Sequence, residues 1–541
     1  MFDALLTQLL TETTEKSLRL FSPELALSAG IVAMLLARLF GVDQKLPTHW
    51  VALWGALAAF GLSWFAFIDF SSSGSEAVEY FSGLMVMDRF ALTFRLGLLL
   101  FLVFVITLTV LCGIPDGEDA PDFYSLLLGS VIGMLIMGSS NHLLMLFLGI
   151  EMSSVPGYAM AGFLKGRRTS SEGALKFVVY GAGAAGVMLY GISLIAGLLG
   201  TAQFPEIADR LQDLFRGEQA TLADPVVRTL VLGLLMTLVG FAFKLSVVPF
   251  HFWTPDAFQG APAEVGGFLG VASKAAAFVL LVRFVLAIVT PLTSIELSGV
   301  YLTLGIGIGV IAAITATFGN LAAYTQANMK RLLAYSTIAH AGYMLMAVSA
   351  LIVLRSGVDP STTGYDDRCA RAVEGLLYYL AVYLFMNLGA FAITALIRNE
   401  IFSEEIEDYA GLGFQCPVLA IGMAACLFSL VGLPPLGGFV GKLFVFASLY
   451  DAGFVHPIMW GLLALGGLNT VFSLFYYLRV LKTMFLQERP AGARAVIIPT
   501  WSNPGVYVML VTIPLIFPLG VGIRLISGVA SRAAQSLFAG L

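Results

Sequence analysis

Long apolar runs alternate with short polar segments along this chain of 541 residues. A helix that crosses a bilayer needs about 20 mostly apolar residues. Fourteen runs are candidates, at roughly 22–41, 50–70, 90–113, 122–138, 141–163, 174–199, 226–249, 262–288, 295–318, 331–353, 374–397, 416–449, 458–482 and 504–526. The expected fold is an all-α membrane protein with about 14 transmembrane helices. Between the runs, 203–224 reads as an amphipathic surface helix, and 71–88 as a loop with a short strand at 83–87. Residues 1–21 are acidic and amphipathic and lack a basic n-region, so the first run does not read as a cleaved signal peptide.

Composition strengthens this picture. Apolar residues make up 58% and charged residues 12%, against about 45–50% and about 25% in soluble domains. A soluble protein could not hide that much apolar surface, so lipid is the solvent for most of the chain. A cytosolic enzyme, a nucleic-acid binder and a disordered scaffold are excluded. The net charge of -5 gives no partner signal, and the 29 Lys and Arg form no basic patch. Basic residues do mark one side, by the positive-inside rule. Lys165, Arg167 and Arg168 follow the fifth run, Lys330 and Arg331 the ninth, and Arg479, Lys482, Arg489 and Arg494 surround the end of the thirteenth. With fourteen spans these loops share the cytoplasmic side, and both termini are expected on the periplasmic side. Cys112, Cys369, Cys416 and Cys426 lack disulfide, zinc or iron–sulfur spacing, and the five His are dispersed. No metal, cofactor or redox centre is expected in this chain.

One motif misleads. Residues 181–186 (GAGAAG) match G-x-G-x-x-G, and Glu206 lies twenty residues beyond. A dinucleotide site needs a strand, the loop, then a helix. Here 177–200 is one uncharged apolar run, so the small residues read as close helix packing.

Four ionisable residues fall inside the spans: Glu151, Lys244, Lys274 and Lys442. Each costs about 2.5–3.5 kcal/mol at a helix centre, so the set costs about 10–14 kcal/mol. Buried ion pairs or snorkelling ends would be the structural explanation. Snorkelling does not easily explain all four, and intramembrane charge defaults to function, so ion or proton handling is the expected role. Burial disfavours a charged amine and a nearby carboxylate favours it. A pair about 7 Å apart at an effective dielectric near 20 is worth about 2.4 kcal/mol. Moving one charge across 100 mV costs about 2.3 kcal/mol. Engaging or separating Glu151 and Lys244 could thus decide whether a lysine keeps its proton.

Two lysines sit beside helix breaks. Residues 244–249 (KLSVVP) interrupt the seventh run at Pro249, and 432–438 (GLPPLGG) interrupt the twelfth at Pro434 and Pro435. Broken helices in matching positions of two halves point to an inverted repeat. The breaks are five spans apart, an odd number, so the units are inverted: helices 4–8 over 122–288 and helices 9–13 over 295–482. Helices 1–3 (1–113) and a C-terminal helix (504–541) flank them. His251 follows the first break, and His340 lies in the tenth run near Tyr335, Ser336 and Thr337. Each is either a buried histidine with satisfied hydrogen bonds or a proton relay. Lys330 and Arg331 read as interface anchors.

Residues 243–260 (FKLSVVPFHFWTPDAFQG), 328–343 (NMKRLLAYSTIAHAGY) and 432–446 (GLPPLGGFVGKLFVF) resemble the antiporter-like membrane subunits of respiratory complex I, the proton-pumping NADH:quinone oxidoreductase. Trp253-Thr254-Pro255-Asp256, Gly260-Ala261-Pro262 and 338–343 (IAHAGY) resemble its N type. Lys442 is unlike the M type, which has a glutamate there, and the C-terminal part is unlike the L type, which has a long lateral helix. The resemblance covers about 20–526. It implies two inverted five-helix units with broken seventh and twelfth helices. It also implies that Glu151 and Lys244 form the family's glutamate–lysine pair, that Lys274 is its central lysine and Lys442 its terminal one. The implied function is a proton-translocating subunit of a multi-pass complex in a bacterial-type inner (plasma) membrane. NADH, flavin, iron–sulfur clusters and quinone would be handled by partner subunits. The implied partners are the other antiporter-like and small complex I membrane subunits and the lipid bilayer, with no nucleic acid. A subunit of a multisubunit cation/proton antiporter or membrane-bound hydrogenase is the alternative. Two departures stand out. Ala263-Glu264 replaces the usual Thr-Pro at the start of the eighth span, and Pro156 follows Glu151 closely.

Overall fold

The computed structural model describes residues 11–538 apart from 46, 74–76, 215–222, 290–297, 359–361, 363, 492, 493, 495 and 497. Among the described residues, twelve helices are long and apolar enough to cross a membrane, and Pro417–Val431 and Asn503–Ile516 are shorter apolar helices. In chain order the elements are α1 (Ser22–Leu39), α2 (Thr48–Ser73), strands β1 (Ala77–Tyr80) and β2 (Met85–Asp88), α3 (Arg89–Cys112), α4 (Ala120–Ser139) and α5 (Leu143–Ala161). Then come α6 (Arg168–Leu199), α7 (Phe204–Leu214), α8 (Pro225–Leu245) and α9 (Trp253–Gly260), and α10 (Ala263–Ile288). The chain continues with α11 (Ser298–Ala323), α12 (Met329–Gly357), α13 (Tyr365–Ile401), α14 (Pro417–Val431) and α15 (Gly437–Gly453). It closes with α16 (Ile458–Leu486), α17 (Asn503–Ile516) and α18 (Ile523–Gln535).

The strand expected at 83–87 is one arm of an antiparallel hairpin, with Ala77 opposite Asp88 and Tyr80 opposite Met85. Gly83 lies in its turn, at φ 83°, where a side chain would be strained. Asp88 then caps α3 by accepting from the Ala91 N–H at 2.7 Å. The amphipathic helix expected at 203–224 is α7, which buries Phe204, Ile207 and Leu211 at helical spacing. Residues 215–222 of that expectation lie outside the described residues.

Three helices form the centre. The most apolar stretches of α10, α12 and α13 are 94%, 100% and 89% buried, whereas those of α2 and α16 are 22% and 28% buried. A helix apolar all round belongs in a core, and the outer helices can expose Phe65 or Trp54 because lipid faces them.

Both expected breaks coincide with helix ends. α8 stops at Leu245, and Ser246 turns left-handed at φ 61°. Its N–H and that of Val247 close on the Phe243 and Ala242 carbonyls at 3.0 and 2.8 Å. α14 stops at Val431, and Gly432 turns left-handed at φ 89°. The Gly432 and Leu433 N–H groups both close on the Phe428 carbonyl at 3.0 Å. Pro249, Pro434 and Pro435 follow in the linkers. α5 continues through Pro156, and α10 begins directly after Pro262 with Glu264 in its first turn.

The GAGAAG run lies inside α6, as the packing reading requires. Only Gly181 of the three motif glycines is packed, beneath Tyr158 and Phe243, while Gly183 and Gly186 have open space. α6 packs tightly on α8 at Gly191, where a Cβ would lie 2.6 Å from the Gly233 carbonyl oxygen.

Candidate functional site

Lys244 occupies the last turn of α8 and is only 3% exposed. Its amine donates to Ser153 Oγ at 2.8 Å and Ser154 Oγ at 2.9 Å, both on α5. Those hydroxyls donate in turn to the Ile150 carbonyl at 2.9 and 2.6 Å, which fixes their lone pairs toward the lysine. Glu151 lies on the same helix as those serines, partly buried, and forms no ion pair with Lys244 among the described residues. The two residues therefore share a site, but the serines hold the amine. An ammonium has three N–H donors, so one has no partner among the described residues beyond the two serines.

Lys274 follows a π turn, Leu269–Ser273, inside α10. Such turns offset the helix ladder and occur often at functional sites. The amine donates to the Thr337 carbonyl of α12 at 3.2 Å. One turn along α12, His340 is fully buried. Its Nδ1 meets the Tyr379 hydroxyl of α13 at 2.6 Å, and its Nε2 meets the Tyr477 hydroxyl of α16 at 3.5 Å. Tyr477 also bonds the Ser336 hydroxyl. Lys274 bonds Thr337 one turn before His340, and Lys442 stands over Tyr343, whose ring centre is 5.8 Å from that of His340.

Lys442 on α15 donates to the Val431 carbonyl at 2.9 Å, across the α14 break, and to Thr470 Oγ1 at 3.5 Å. Its amine stands 4.4 Å from the centre of the Tyr343 ring, a cation–π contact. The Tyr343 hydroxyl accepts from Asn320 at 3.4 Å, and Asn320 reaches Asn469 at 3.2 Å. Lys244 with Ser153 and Ser154 thus forms one buried polar group, and a separate polar line runs from Lys274 through Thr337, His340 and the tyrosines to Lys442. On α13, the Asn387 amide is buried beside it and finds no hydrogen-bond partner among the described residues, and the Tyr383 hydroxyl lies close by without one by the same geometry. The Asn387 amide lies 2.9 Å from where a Cβ on Gly270 would stand, on the π turn before Lys274.

His251 stays outside this line. It is buried after the first break, its ring 4.4 Å from Phe318, with Nδ1 unpartnered among the described residues. Ser246 and Thr254 bond each other beside it at 2.7 Å.

Several charges escaped the sequence reading. Arg95 and Glu24 form a fully buried ion pair at 2.5 Å, with Tyr80 at 3.0 Å. Arg283 grips both oxygens of Asp88 at 2.8 and 2.9 Å and the Gly138 carbonyl at 2.8 Å. Arg398 pairs with Glu264 at 3.1 Å, so the unexpected acid is a buried structural charge. Lys330 is not an interface anchor. It is 1% exposed, donates to the Ala261 carbonyl at 2.6 Å and pairs with Glu404 at 2.9 Å, because the segment around 404–406 folds over the start of α12. Arg331 and Lys176 both bind Asp256, at 2.6 and 2.5 Å, and tie α9 to α12 and α6. Among the described residues, no group of three or more His, Cys, Asp or Glu is placed to hold a metal ion.

Residues 140–468 match the family described as NADH:quinone oxidoreductase/Mrp antiporter, transmembrane. The chain is 37% identical over 478 residues to NADH-quinone oxidoreductase subunit N 2 of Chloroherpeton thalassium, covering 87% of this chain and 86% of that protein. The chain belongs to the NADH-quinone oxidoreductase subunit N family. Subunit N of an Anaeromyxobacter species is 38% identical over 491 residues, 88% of each chain. Among solved structures, a chain of respiratory complex I from Thermus thermophilus matches with TM-score 0.71 and 28% identity, over 94% of this chain and 99% of that one. A chain of the Mrp complex from Dietzia shares the fold, with TM-score 0.76 and 18% identity over 96% and 97%. A subunit N chain with this many long apolar helices is a multi-pass membrane protein.

Proposed function

We propose that this chain translocates protons as a membrane subunit of NADH:quinone oxidoreductase. The observation that carries this reading is three buried lysines, Lys244 held by two serines and Lys274 and Lys442 at the ends of a polar line that passes through His340. NADH oxidation, with flavin and iron–sulfur clusters, and quinone reduction take place on partner subunits. This chain moves protons in response, beside the other antiporter-like and small membrane subunits of a bacterial inner membrane.

Each group suits a step. Ser153 and Ser154 hold Lys244, and the free third N–H is where a proton enters or leaves, by way of water or Glu151. His340 has a phenol on each ring nitrogen. A phenol both donates and accepts, so either tautomer is satisfied and a proton can pass in at one nitrogen and out at the other. Water held by Asn387 and the Tyr383 hydroxyl joins Lys274 to that histidine, since buried polar groups take water where the chain supplies no partner. Val431 and Thr470 receive Lys442 at the second break. The two inverted five-helix units, 122–288 and 295–482, each contribute one broken helix, and both termini lie on the periplasmic side.

A mild-detergent pull-down of the tagged chain tests the assembly. Flavin and iron–sulfur NADH-dehydrogenase subunits are expected, whereas small antiporter subunits or a hydrogenase module would move the driving reaction elsewhere. Lys244→Ala is expected to abolish or strongly reduce pumping by an assembled complex. Unchanged pumping would sink the role of Lys244.

A further inference from the structure

Two cavities adjoin on the face where α3, α13 and α18 meet, and they share Thr93 and Val529. The outer one, about 320 Å³, is lined by Ser71, Arg89 and Arg532. The inner one, about 110 Å³, is an apolar crevice whose floor is Val271, Ala272 and Ala275. Those floor residues flank Lys274, whose amine points to Thr337 of α12.

Arg95, Arg283 and Arg398 each have a carboxylate partner. Arg89 and Arg532 have none among the described residues. α18 carries Arg524 and Arg532 and no acid, and its polar and apolar residues fall on separate faces. A helix of that kind lies in the membrane interface and is drawn to anionic lipid. A guanidinium matches phosphate in charge and geometry. A crevice with an apolar lining suits hydrocarbon better than water.

We propose that this face binds one anionic diacyl lipid, its phosphate on Arg89 and Arg532 and one acyl chain in the crevice behind the π turn of α10. The unpaired cations line one cavity and the apolar crevice is its neighbour across Thr93 and Val529, a pairing that fits a molecule with a phosphate at one end and hydrocarbon at the other. A free phosphate leaves the crevice unused, and a neutral quinone leaves the arginines unpaired. The lipid completes the packing of the helix that holds Lys274. The site does not depend on the proton path proposed above.

The assembled complex in phosphatidylcholine nanodiscs, probed with phosphatidylglycerol carrying a diazirine in its acyl chain, tests this. Crosslinks are expected within 271–275, 377–384 and 526–530. Unlabelled phosphatidylglycerol should compete, and phosphatidylcholine and inorganic phosphate should not. The variant R89Q/R532Q should lose at least about tenfold in labelling, as two charge-assisted bonds disappear. Where that variant fails to assemble, the competition series on the unchanged complex decides. Equal labelling by a phosphatidylcholine probe, displacement by quinone, crosslinks confined to other helices, or labelling indifferent to the two arginines would overturn the proposal.

Discussion

Removing the two hydroxyls that hold Lys244 should disable proton transfer while leaving the helices in place. Ser153 and Ser154 are buried and accept from the lysine at 2.8 and 2.9 Å. The double substitution Ser153→Ala/Ser154→Ala deletes two oxygens and adds nothing that could clash. A hydrogen bond to a charged group contributes about 1.5–3 kcal/mol, so two contribute about 3–6 kcal/mol. Water entering the space recovers part of this, and a loss of about 3 kcal/mol corresponds to roughly a hundredfold lower occupancy of the protonated lysine. That exceeds the roughly 2.3 kcal/mol that 100 mV exerts on one charge, so the step should stall rather than slow slightly. The assay is proton uptake by inverted membrane vesicles during NADH oxidation, followed with a pH-sensitive dye and normalised to assembled complex. Each single variant should pump less, and the double variant least. Acidifying the loading side should restore part of the rate, because a higher proton concentration refills the lysine. A double variant that assembles and pumps like the unchanged protein, with the same pH dependence, would refute the reasoning.

Other outcomes follow from the same geometry. Tyr379→Phe should slow pumping by about fivefold for the loss of about 1 kcal/mol, and Tyr477→Phe should do less. The Tyr379 contact to His340 is 2.6 Å and the Tyr477 contact 3.5 Å, so an inverted order in the vesicle assay would contradict the relay. Arg283→Ala leaves Asp88 buried without its partner, at a cost of about 3–5 kcal/mol. Thermal unfolding and the yield of assembled complex should fall, while pumping per assembled complex holds. Gly191→Ala should destabilise by about 1–3 kcal/mol, because its Cβ would meet the Gly233 carbonyl at 2.6 Å, whereas Gly183→Ala has open space and should be tolerated. Equal melting temperatures for the two variants would contradict the packing of α6 on α8.

The parts of this protein that were legible from residues alone are those where membrane physics leaves few choices. A lysine in an apolar run is conspicuous because lipid penalises it, so Lys244, Lys274 and Lys442 stood out. The Pro and Gly clusters at 249 and 432–438 announced helix ends because they cannot continue a backbone ladder. What stayed hidden were neutral partners. Ser153 and Ser154 are ordinary residues in an apolar helix, and their position two and three residues beyond Glu151 was the only signal. Tyr379 and Tyr477 look like packing residues until the fold brings α13 and α16 to His340. Charges near run ends were also hard to read. Glu24 and Arg95 lie in different spans, and only tertiary contact makes them a pair. Lys330 sits where anchors usually snorkel, and the covering segment around 404–406 is far away in sequence.

The most direct measurement is the number of protons moved per NADH oxidised in vesicles carrying Lys274→Ala, with assembly verified on native gels. Lys274 is buried in the most enclosed part of the protein and makes one hydrogen bond, to the Thr337 carbonyl. If the buried line carries protons, the assembled variant moves fewer protons per NADH than the unchanged complex. A fully assembled variant with an unaltered ratio would mean that these lysines only hold helices together.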